Sequence, residues 1–367
     1  MPDQITEEVP ALNRLAGDRR VYRRVFEKTD GRKLHLYGYE PHILPPLPGE
    51  QLEQITGGEL RFNPLRQSWS VYAAGRNKRT FKPSSATDPL APSKPGEPQT
   101  EIPFEDFELC VFENRFPAFH PSSELSPRDR DDMERIPAKG TCEVVVYAPQ
   151  QTGSLATLGQ SRRRLILSAW IDRYESLYTE GHSYVLPFEN RGDAVGVTLH
   201  HPHGQIYALP LVPEPQQAAV RAFDGGFDLS AQLPDWQEDY AIAEAGGVVA
   251  FAPPFARFPY EVWLAPIEPV SGPWAFSEDQ ADGFAHLLGL VTERYDAFFG
   301  EATPYMFSLQ AAPYGQDGPF QFTAQFYPLL RAPNRIKYFA SLEQVTGLYT
   351  VDIMPRDVAK ALREAGA

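Results

Sequence analysis

The histidines of this chain are concentrated at one place. Three of its eight histidines, His200, His201 and His203, lie in the stretch TLHHPHGQIYAL at residues 198–209. On a β-strand, alternation puts His201, His203 and Gln205 on one face, so that an imidazole stands beside a neutral amide donor. Residues of these types at this spacing suit a nucleophilic histidine, a metal site or a set of structural histidines.

The backbone of this stretch and the number of possible metal ligands in it help to choose among the three interpretations. Gly204 permits the close approach of a ligand, and Pro202 lacks a ladder donor, which predicts a strand at a sheet edge or rim. A nucleophilic imidazole needs an electrophile in line and a donor for the developing charge, and a phosphate group would satisfy His203 and Gln205 together. A metal needs three or four ligands, whereas His201 and His203 supply two. The nucleophile is favoured, and the other two interpretations stay open.

The elements that must position these residues occur twice. The run CEVVVYAP at 142–149 predicts a strand, followed by an amphipathic helix that starts near a capping box at Thr157 and then by two strands. The run YEVWLAPIEP at 260–269 begins the same order, with a capping box at Ser277. Hairpin-connected strands backed by one helix predict an antiparallel sheet with helices on one face, an α+β fold. We infer a duplicated strand, helix, strand, strand unit whose two copies join their sheets edge to edge.

The second copy has no histidines in its equivalent strand. The positions that correspond to the site are Gln321, Thr323 and Gln325. The chemistry is therefore expected in the first copy. We divide the chain into an N-terminal extension with some local strand, a first unit, a second unit and a C-terminal helix, at residues 1–58, 59–215, 216–355 and 356–367.

Composition narrows the class of protein. The chain has 367 residues, 42% of them hydrophobic, and a formal net charge of −14, which argues against broad binding to nucleic acid or an anionic membrane. The acidic N-terminus lacks the apolar region of a secretory signal, which predicts a cytoplasmic protein. Cys110 and Cys142 stand in apolar runs and are expected to be buried free thiols. The proline-rich residues 80–105 predict a long surface loop.

Several of these motifs together resemble a known family. HPHGQ at 201–205, preceded by FENRG at 188–192, closely resembles galactose-1-phosphate uridylyltransferases, the nucleotidyltransferase branch of the histidine-triad superfamily. The resemblance spans roughly residues 60 to 350, and the family's duplicated half-barrel matches the inferred repeat. The other motifs are RFNPLRQSW at 61–69, GRNKR at 75–79, VFENRFPAF at 111–119, FPYEVWLAP at 258–266 and FYPLLR at 326–331.

The resemblance implies a reaction. His203 would take the uridylyl group from UDP-glucose as a covalent uridylyl-histidine, and galactose 1-phosphate or another hexose 1-phosphate would then attack the same phosphorus, a ping-pong step of galactose metabolism (the Leloir pathway). Gln205 would contact the transferred phosphate. Hydrolytic branches usually have histidine there, and an amide does not shuttle protons, so glutamine favours transfer over hydrolysis. His201 would orient the ring of His203 through its backbone carbonyl.

The resemblance also implies substrate contacts, each of which has an ordinary structural alternative as a basic turn, a cap or a surface ion pair. Arg76 and Arg79 are expected to bind phosphate, and Phe112 and Asn114 to bind uridine. Asn190 and Thr198 are expected near the nucleotide phosphate and ribose. Lys337 and Glu343 are expected to bind the hexose.

The metal ligands of the family are missing. Many members hold zinc through a Cys-x-x-Cys pair, a later histidine and the first histidine of HPH, whereas here the proline-rich loop has no cysteine, Gln151 replaces the later histidine and only His201 remains. The histidines of a second metal site are replaced by Gln310, Thr323 and Gln325. We expect an enzyme without zinc or iron.

The nucleobase and the acceptor are less well indicated. Arg115 stands where the best-known members have an acidic residue near the ribose. Alternatives are therefore a phosphorylase or adenylyltransferase acting on ADP-sugars or dinucleoside polyphosphates, and an inactive protein that binds nucleotide sugars. The expected partners are UDP-glucose, a hexose 1-phosphate and, by family analogy, a second copy of the chain, with no nucleic acid or membrane.

Overall fold

A computed structural model describes residues 6–8, 19–44, 57–78, 88–127 and 133–366. Its strands are β1 (Thr6–Glu8), β2 (Tyr22–Glu27), β3 (Lys33–Gly38), β4 (Glu59–Asn63), β5 (Ser68–Tyr72), β6 (Leu109–Glu113), β7 (Arg135–Pro137), β8 (Thr141–Val146), β9 (Tyr184–Arg191), β10 (His203–Leu209), β11 (Ala241–Ala245), β12 (Val248–Phe251), β13 (Val262–Pro266), β14 (Tyr305–Gln310), β15 (Thr323–Pro328), β16 (Leu330–Ala332) and β17 (Arg335–Ile336). Its α-helices are α1 (Gln160–Thr179), α2 (Glu214–Asp224), α3 (Leu229–Tyr240), α4 (Glu278–Phe299), α5 (Ser341–Thr346) and α6 (Pro355–Glu364).

One twelve-stranded antiparallel sheet organises the molecule, in the order β1-β2-β3-β6-β8-β10-β9-β14-β15-β13-β12-β11. The two copies meet where β9 pairs with β14, with Asn190 opposite Met306. Outward from this junction the order is β9-β10-β8 on one side and β14-β15-β13 on the other. The same strand order on both sides of an antiparallel junction confirms the predicted duplication and the α+β fold.

Helices α1 and α4 pack side by side on one face of this sheet. Arg163 on α1 donates to the backbone carbonyl of Ala285 on α4 at 2.6 Å, and both helices contribute to one core cluster. The capping box at Ser277 is confirmed at the start of α4. The one at Thr157 is wrong, because α1 follows Gly159 without a side-chain cap and the Thr157 hydroxyl instead donates to the carbonyl of Ser154.

The described strands of the N-terminal extension belong to the main sheet. Strand β3 pairs with β6, and β1 and β2 continue the sheet outward. Polar contacts attach β2 and β3 to α1: the part-buried Arg23 pairs with Asp172 at 2.9 Å, and the buried Tyr37 hydroxyl donates to the same carboxylate at 2.5 Å. Two strands of the extension therefore stabilise the edge of the first unit.

Buried ionisable groups lie under this edge. Glu143 on β8 is 1% exposed and accepts from both Nε and Nη2 of Arg173, with the Nη2–Oε1 distance 2.7 Å. The carboxylate raises the pKa of the Arg173 guanidinium. His35 on β3 is also buried, and neither ring nitrogen has a hydrogen-bond partner among the described residues. Burial, aided by the positive charge of Arg173, holds the pKa of His35 well below 6.5.

Two expectations about the surroundings of the histidine cluster are only partly met. Strand β10 is not an edge strand, because β8 and β9 pair with it on both sides. Pro202 precedes the first strand residue, so its missing N–H removes no ladder bond. The proline-rich loop, described from residue 88, is not simply a surface segment. Leu90, Ile102 and Phe104 are buried in a second core cluster on the sheet face opposite the helices.

Several elements of the structure had no counterpart in the sequence prediction. Helices α2 and α3, strands β11 and β12, and the small sheet β5-β4-β7 had no assignment from the sequence.

Cys110 and Cys142 are buried free thiols, as expected, and burial raises the pKa of Cys142 to about 11. Within the described ranges, every helix is too short or too polar to span a bilayer.

Candidate active site

A cavity of about 470 Å³ opens on the sheet face opposite α1 and α4, at the start of β10. Ile206 and Ala208 of β10 face the helices in the main core, so the alternate residues of the strand face the cavity. Seven of the eleven predicted site residues line it: His203, Gln205, Arg76, Phe112, Asn114, Asn190 and Thr198.

His203 is the first residue of β10 and is half-buried. Its Nδ1 lies 2.7 Å from the carbonyl oxygen of His201. A carbonyl only accepts, so Nδ1 carries the proton and Nε2 keeps a lone pair, for which the described residues offer no partner. Burial lowers the pKa of His203 below 6.5, and the ring is neutral near pH 7. The side chain therefore presents a neutral imidazole nitrogen to the cavity.

Two further side chains of β10 share this face. Gln205 lies opposite Val144 and Phe188, and its amide has no hydrogen-bond partner in the part of the chain that the structure describes. Tyr207, which sequence analysis did not select, also lines the cavity and accepts a hydrogen bond from Nη1 of Arg76 at 3.2 Å. The alternation that predicted Gln205 beside the histidine would also have indicated Tyr207.

The side chain of His201 does not line this cavity. It is fully buried, with Nδ1 2.8 Å from Oδ2 of Asp88 and Nε2 2.7 Å from the carbonyl oxygen of Ala148. The expectation that His201 and His203 share a strand face is wrong, because β10 begins at His203 and alternation does not extend back to His201. Its backbone carbonyl does bond the His203 ring, as expected.

A partly apolar end of the cavity lies between β6 and the proline-rich loop. Phe112 is 2% exposed, with Nζ of Lys28 5.1 Å from its ring centroid. Asn114 accepts from the backbone N–H of Phe116 at 2.9 Å, so it forms a turn and lines the cavity at once. Glu101 also lines this end and was missed, because nothing in the composition of its loop marks it.

Asn190 and Thr198 lie on the other side of His203. Asn190 stands near the end of β9, and Thr198 lies in the segment that leads into β10. Within the described ranges neither side chain has a hydrogen-bond partner. Both are therefore available to a ligand in the cavity.

Two further predicted residues do not line this cavity. Lys337 and Glu343 pair with each other, Nζ to Oε1 at 3.2 Å, and the Thr350 hydroxyl bonds both side chains at 2.6 Å. They belong to the segment around β17 and α5 and do not line the cavity of His203. Arg79 lies outside the described residues, and its predicted role stays a prediction.

The residues at the family's two metal positions do not fit a metal. Both ring nitrogens of His201 are bonded to protein atoms. At the second position the Tyr184 hydroxyl donates to Gln310 at 3.1 Å, and the Gln325 amide donates to Thr323 at 2.9 Å. Across the described ranges, no three His, Cys, Asp or Glu side chains converge in a way that could hold an ion.

The structure thus has two strand–helix–strand–strand units that share one sheet, and only the first unit places a histidine of its strands in the cavity, the arrangement expected for the nucleotidyltransferase branch of the histidine-triad superfamily. Residues 50–213 match the family model for galactose-1-phosphate uridyl transferase, N-terminal domain. The chain is 31% identical over 317 residues to the galactose-1-phosphate uridylyltransferase of Thermotoga maritima, a match that covers 83% of this chain and 98% of the relative. The chain therefore belongs to the galactose-1-phosphate uridylyltransferase family, and it is an enzyme.

Two solved structures share this fold. A uridylyltransferase superposes with a TM-score of 0.74 at 26% identity, covering 83% of this chain and 97% of that chain. An ADP-glucose phosphorylase from Arabidopsis thaliana with bound ADP-glucose has a TM-score of 0.64 at 23% identity, covering 84% of this chain and 98% of that chain. The second similarity shows a shared fold.

Proposed function

We propose that the chain is a UDP-glucose:hexose-1-phosphate uridylyltransferase of galactose metabolism that works by two displacements at His203. The observation that carries this proposal is the state of the ring: Nδ1–H is bonded to the His201 carbonyl, and among the described residues neither Nε2 nor the neighbouring Gln205 amide in the cavity has a hydrogen-bond partner. The volume of about 470 Å³ is within the range of small-molecule sites.

In the first displacement, the Nε2 lone pair of His203 attacks the α-phosphorus of UDP-glucose. The bond from that phosphorus to the bridging oxygen breaks, and glucose 1-phosphate leaves with the electron pair. No proton moves in this step. Nδ1 keeps its proton, which stays hydrogen-bonded to the His201 carbonyl oxygen, and the uridylyl-imidazole ring carries the positive charge. The Gln205 amide donates to a non-bridging oxygen on which charge builds up.

In the second displacement, a phosphate oxygen of the incoming hexose 1-phosphate attacks the same phosphorus, and the P–N bond to His203 breaks. The ring returns to its starting tautomer. The Gln205 amide neither gives a proton to water nor takes one from it, so it cannot act as a general acid or base. This property favours a phosphate acceptor over hydrolysis.

The rest of the cavity suits the nucleotide. Phe112 supplies an apolar surface for the base, and Asn114, whose amide nitrogen has no partner among the described residues, lines the same end. Arg76, held by Tyr207, supplies positive charge for the phosphates. Asn190 and Thr198 remain our candidates for ribose and phosphate contacts.

We further propose that the enzyme works without zinc or iron. The donor atoms at both family positions are neutral amides, a hydroxyl and an imidazole already bonded to protein, a set that suits neither metal. Metal analysis of the purified protein is the check, and a stoichiometric, tightly bound zinc would overturn it. A hexose-binding role for Lys337 and Glu343 and a homodimeric assembly remain predictions.

Isotope exchange tests the transfer reaction. With UDP-glucose and labelled glucose 1-phosphate, but no other acceptor, the two-step route moves label into UDP-glucose. Exchange only with ADP-glucose would identify an adenylyl-transferring relative, and exchange with neither would indicate an inactive binding protein. His203→Ala should abolish exchange. His200→Ala is the matched control, since this neighbouring side chain is 67% exposed and should be dispensable.

A further inference from the structure

Asp88 connects the proline-rich loop to the histidine motif. Its Oδ1 accepts from the backbone N–H of Leu90 at 2.9 Å, which closes a turn in the loop. Its Oδ2 lies 2.8 Å from Nδ1 of His201. The carboxylate side chain is only 12% exposed, and the imidazole is fully enclosed. Both oxygens are therefore committed to protein contacts at a largely buried position.

The His201 ring is held at both ends. Nε2 donates to the carbonyl of Ala148 at 2.7 Å, and one proton lies between Nδ1 and Asp88, whichever atom holds it. Rotation of the ring would break both hydrogen bonds in a buried site, which is costly. The ring therefore fixes the local backbone, whose carbonyl accepts the Nδ1–H of His203 at 2.7 Å.

We propose that Asp88 is a positioning residue for the transfer reaction, acting on His203 through His201. By holding His201, it keeps the carbonyl in place that bonds Nδ1–H of His203 and so leaves Nε2 free for phosphorus. Asp88 does not line the cavity of His203, so it acts on the reaction only through His201. The proposal rests on the proposed function. In place of a metal, the Asp88 carboxylate bonds the His201 ring and so orients the nucleophile, His203.

The same contact couples the nucleophile to the wall of the cavity. Pro89 and Leu90 follow Asp88 directly and line the cavity. Leu90 is 2% exposed and packs in the same core cluster as Phe112. A single carboxylate thus ties the start of β10 to the loop that borders the proposed nucleotide.

Single-turnover kinetics with matched variants test this role. We compare Asp88→Ala, Asp88→Asn and Glu97→Ala, the last being an exposed carboxylate in the same loop whose side chain has no partner among the described residues. For both Asp88 variants we expect uridylylation of the protein to slow, by roughly 10- to 100-fold for alanine, because a displaced nucleophile loses alignment. The dissociation constant for UDP should stay close to that of wild type. Glu97→Ala should match wild type in both.

Nitrogen NMR of ¹⁵N-histidine protein gives a readout that loss of packing alone would not produce. Wild-type His203 should be the Nδ1–H tautomer, and Asp88→Ala should shift it towards a mixture with Nε2–H. Asp88→Asn keeps an acceptor for Leu90 and so preserves the loop turn, yet we expect the same direction of change in rate and tautomer. This variant guards against a folding failure.

Three results would overturn the role of Asp88: an uridylylation rate close to wild type in both variants, a loss of rate fully accounted for by weaker UDP binding, or an unchanged tautomer of His203. Failure of the proposed function has a different signature, since wild type itself would then take no label. The tautomer measurement decides the role of Asp88 in that case as well.

Discussion

Replacing Gln205 by methionine removes one hydrogen-bond donor from the cavity and little else. The two side chains have similar length, and the backbone at this position is held by β8 and β9, opposite Val144 and Phe188. The amide has no partner in the described part of the chain, so no protein hydrogen bond is lost. Stability should change by about 0.5 kcal/mol or less.

The effect on the chemical step should be large. If the amide donates to the phosphate oxygen on which charge builds up, its loss should slow the attack by about 10²- to 10³-fold, which corresponds to roughly 2.7 to 4 kcal/mol of transition-state stabilisation. Binding of UDP should weaken much less, because the ground-state phosphate has less charge at that oxygen.

The assay is rapid-quench measurement of labelled protein after mixing with excess UDP-glucose. The matched control is Gln325→Met, which changes the equivalent glutamine of the second unit and should leave the rate near that of wild type. A loss of less than about 10-fold for Gln205→Met would refute its role as the donor to the phosphate. Equal losses in rate and in UDP affinity would instead assign the amide to ground-state binding.

Three further predictions concern stability and substrate binding. His35→Leu should remove a contribution to stability that is lost in acid. The pKa of His35 is lowered in the folded state, so the wild-type protein loses stability as pH falls below 6.5. The free energy of unfolding in urea should therefore rise for the variant relative to wild type by about 1.4 kcal/mol per unit decrease in pH, and parallel pH profiles of the two proteins would contradict this. Glu143→Gln leaves a buried guanidinium without its charged partner and should cost about 3 to 5 kcal/mol, whereas Glu214→Gln in an exposed pair should cost under about 1 kcal/mol; similar midpoints in denaturant would refute the distinction. Tyr207→Phe frees Arg76 and should raise KM for UDP-glucose about 5-fold, the equivalent of one hydrogen bond of ~1 kcal/mol, at nearly constant kcat; an unchanged KM would show that the contact does not matter.

The sequence predicted the arrangement of the site where local rules apply. Periodicity and the repeated order of elements were enough for the duplicated sheet, and alternation along β10 placed His203 and Gln205 on one face. The same rule failed for His201 because it requires a continuous strand, and the strand starts only after Pro202. What fixes the His201 side chain is Asp88, more than a hundred residues earlier in the chain, and no local pattern announces such a contact.

Long-range pairing explains the other failures. Strands β2 and β3 lie in a segment without clean periodicity, yet they join the main sheet because β6 offers them a partner edge. The proline-rich loop has few apolar residues, but Leu90 and Ile102 are buried because the sheet face opposite the helices needs a cover. Lys337 and Glu343 were predicted from the resemblance alone; they do not line the cavity of His203, and their role in hexose binding stays a prediction.

The most direct test of the account is to identify the residue that carries the uridylyl group. The protein is incubated with UDP-glucose labelled at the α-phosphate, without acceptor, then quenched in base, digested and analysed by mass spectrometry. We predict one label, on His203, that is stable in base, released by acid and discharged by galactose 1-phosphate. Label on any other residue, or turnover of UDP-glucose with an unlabelled His203, would contradict the central claim.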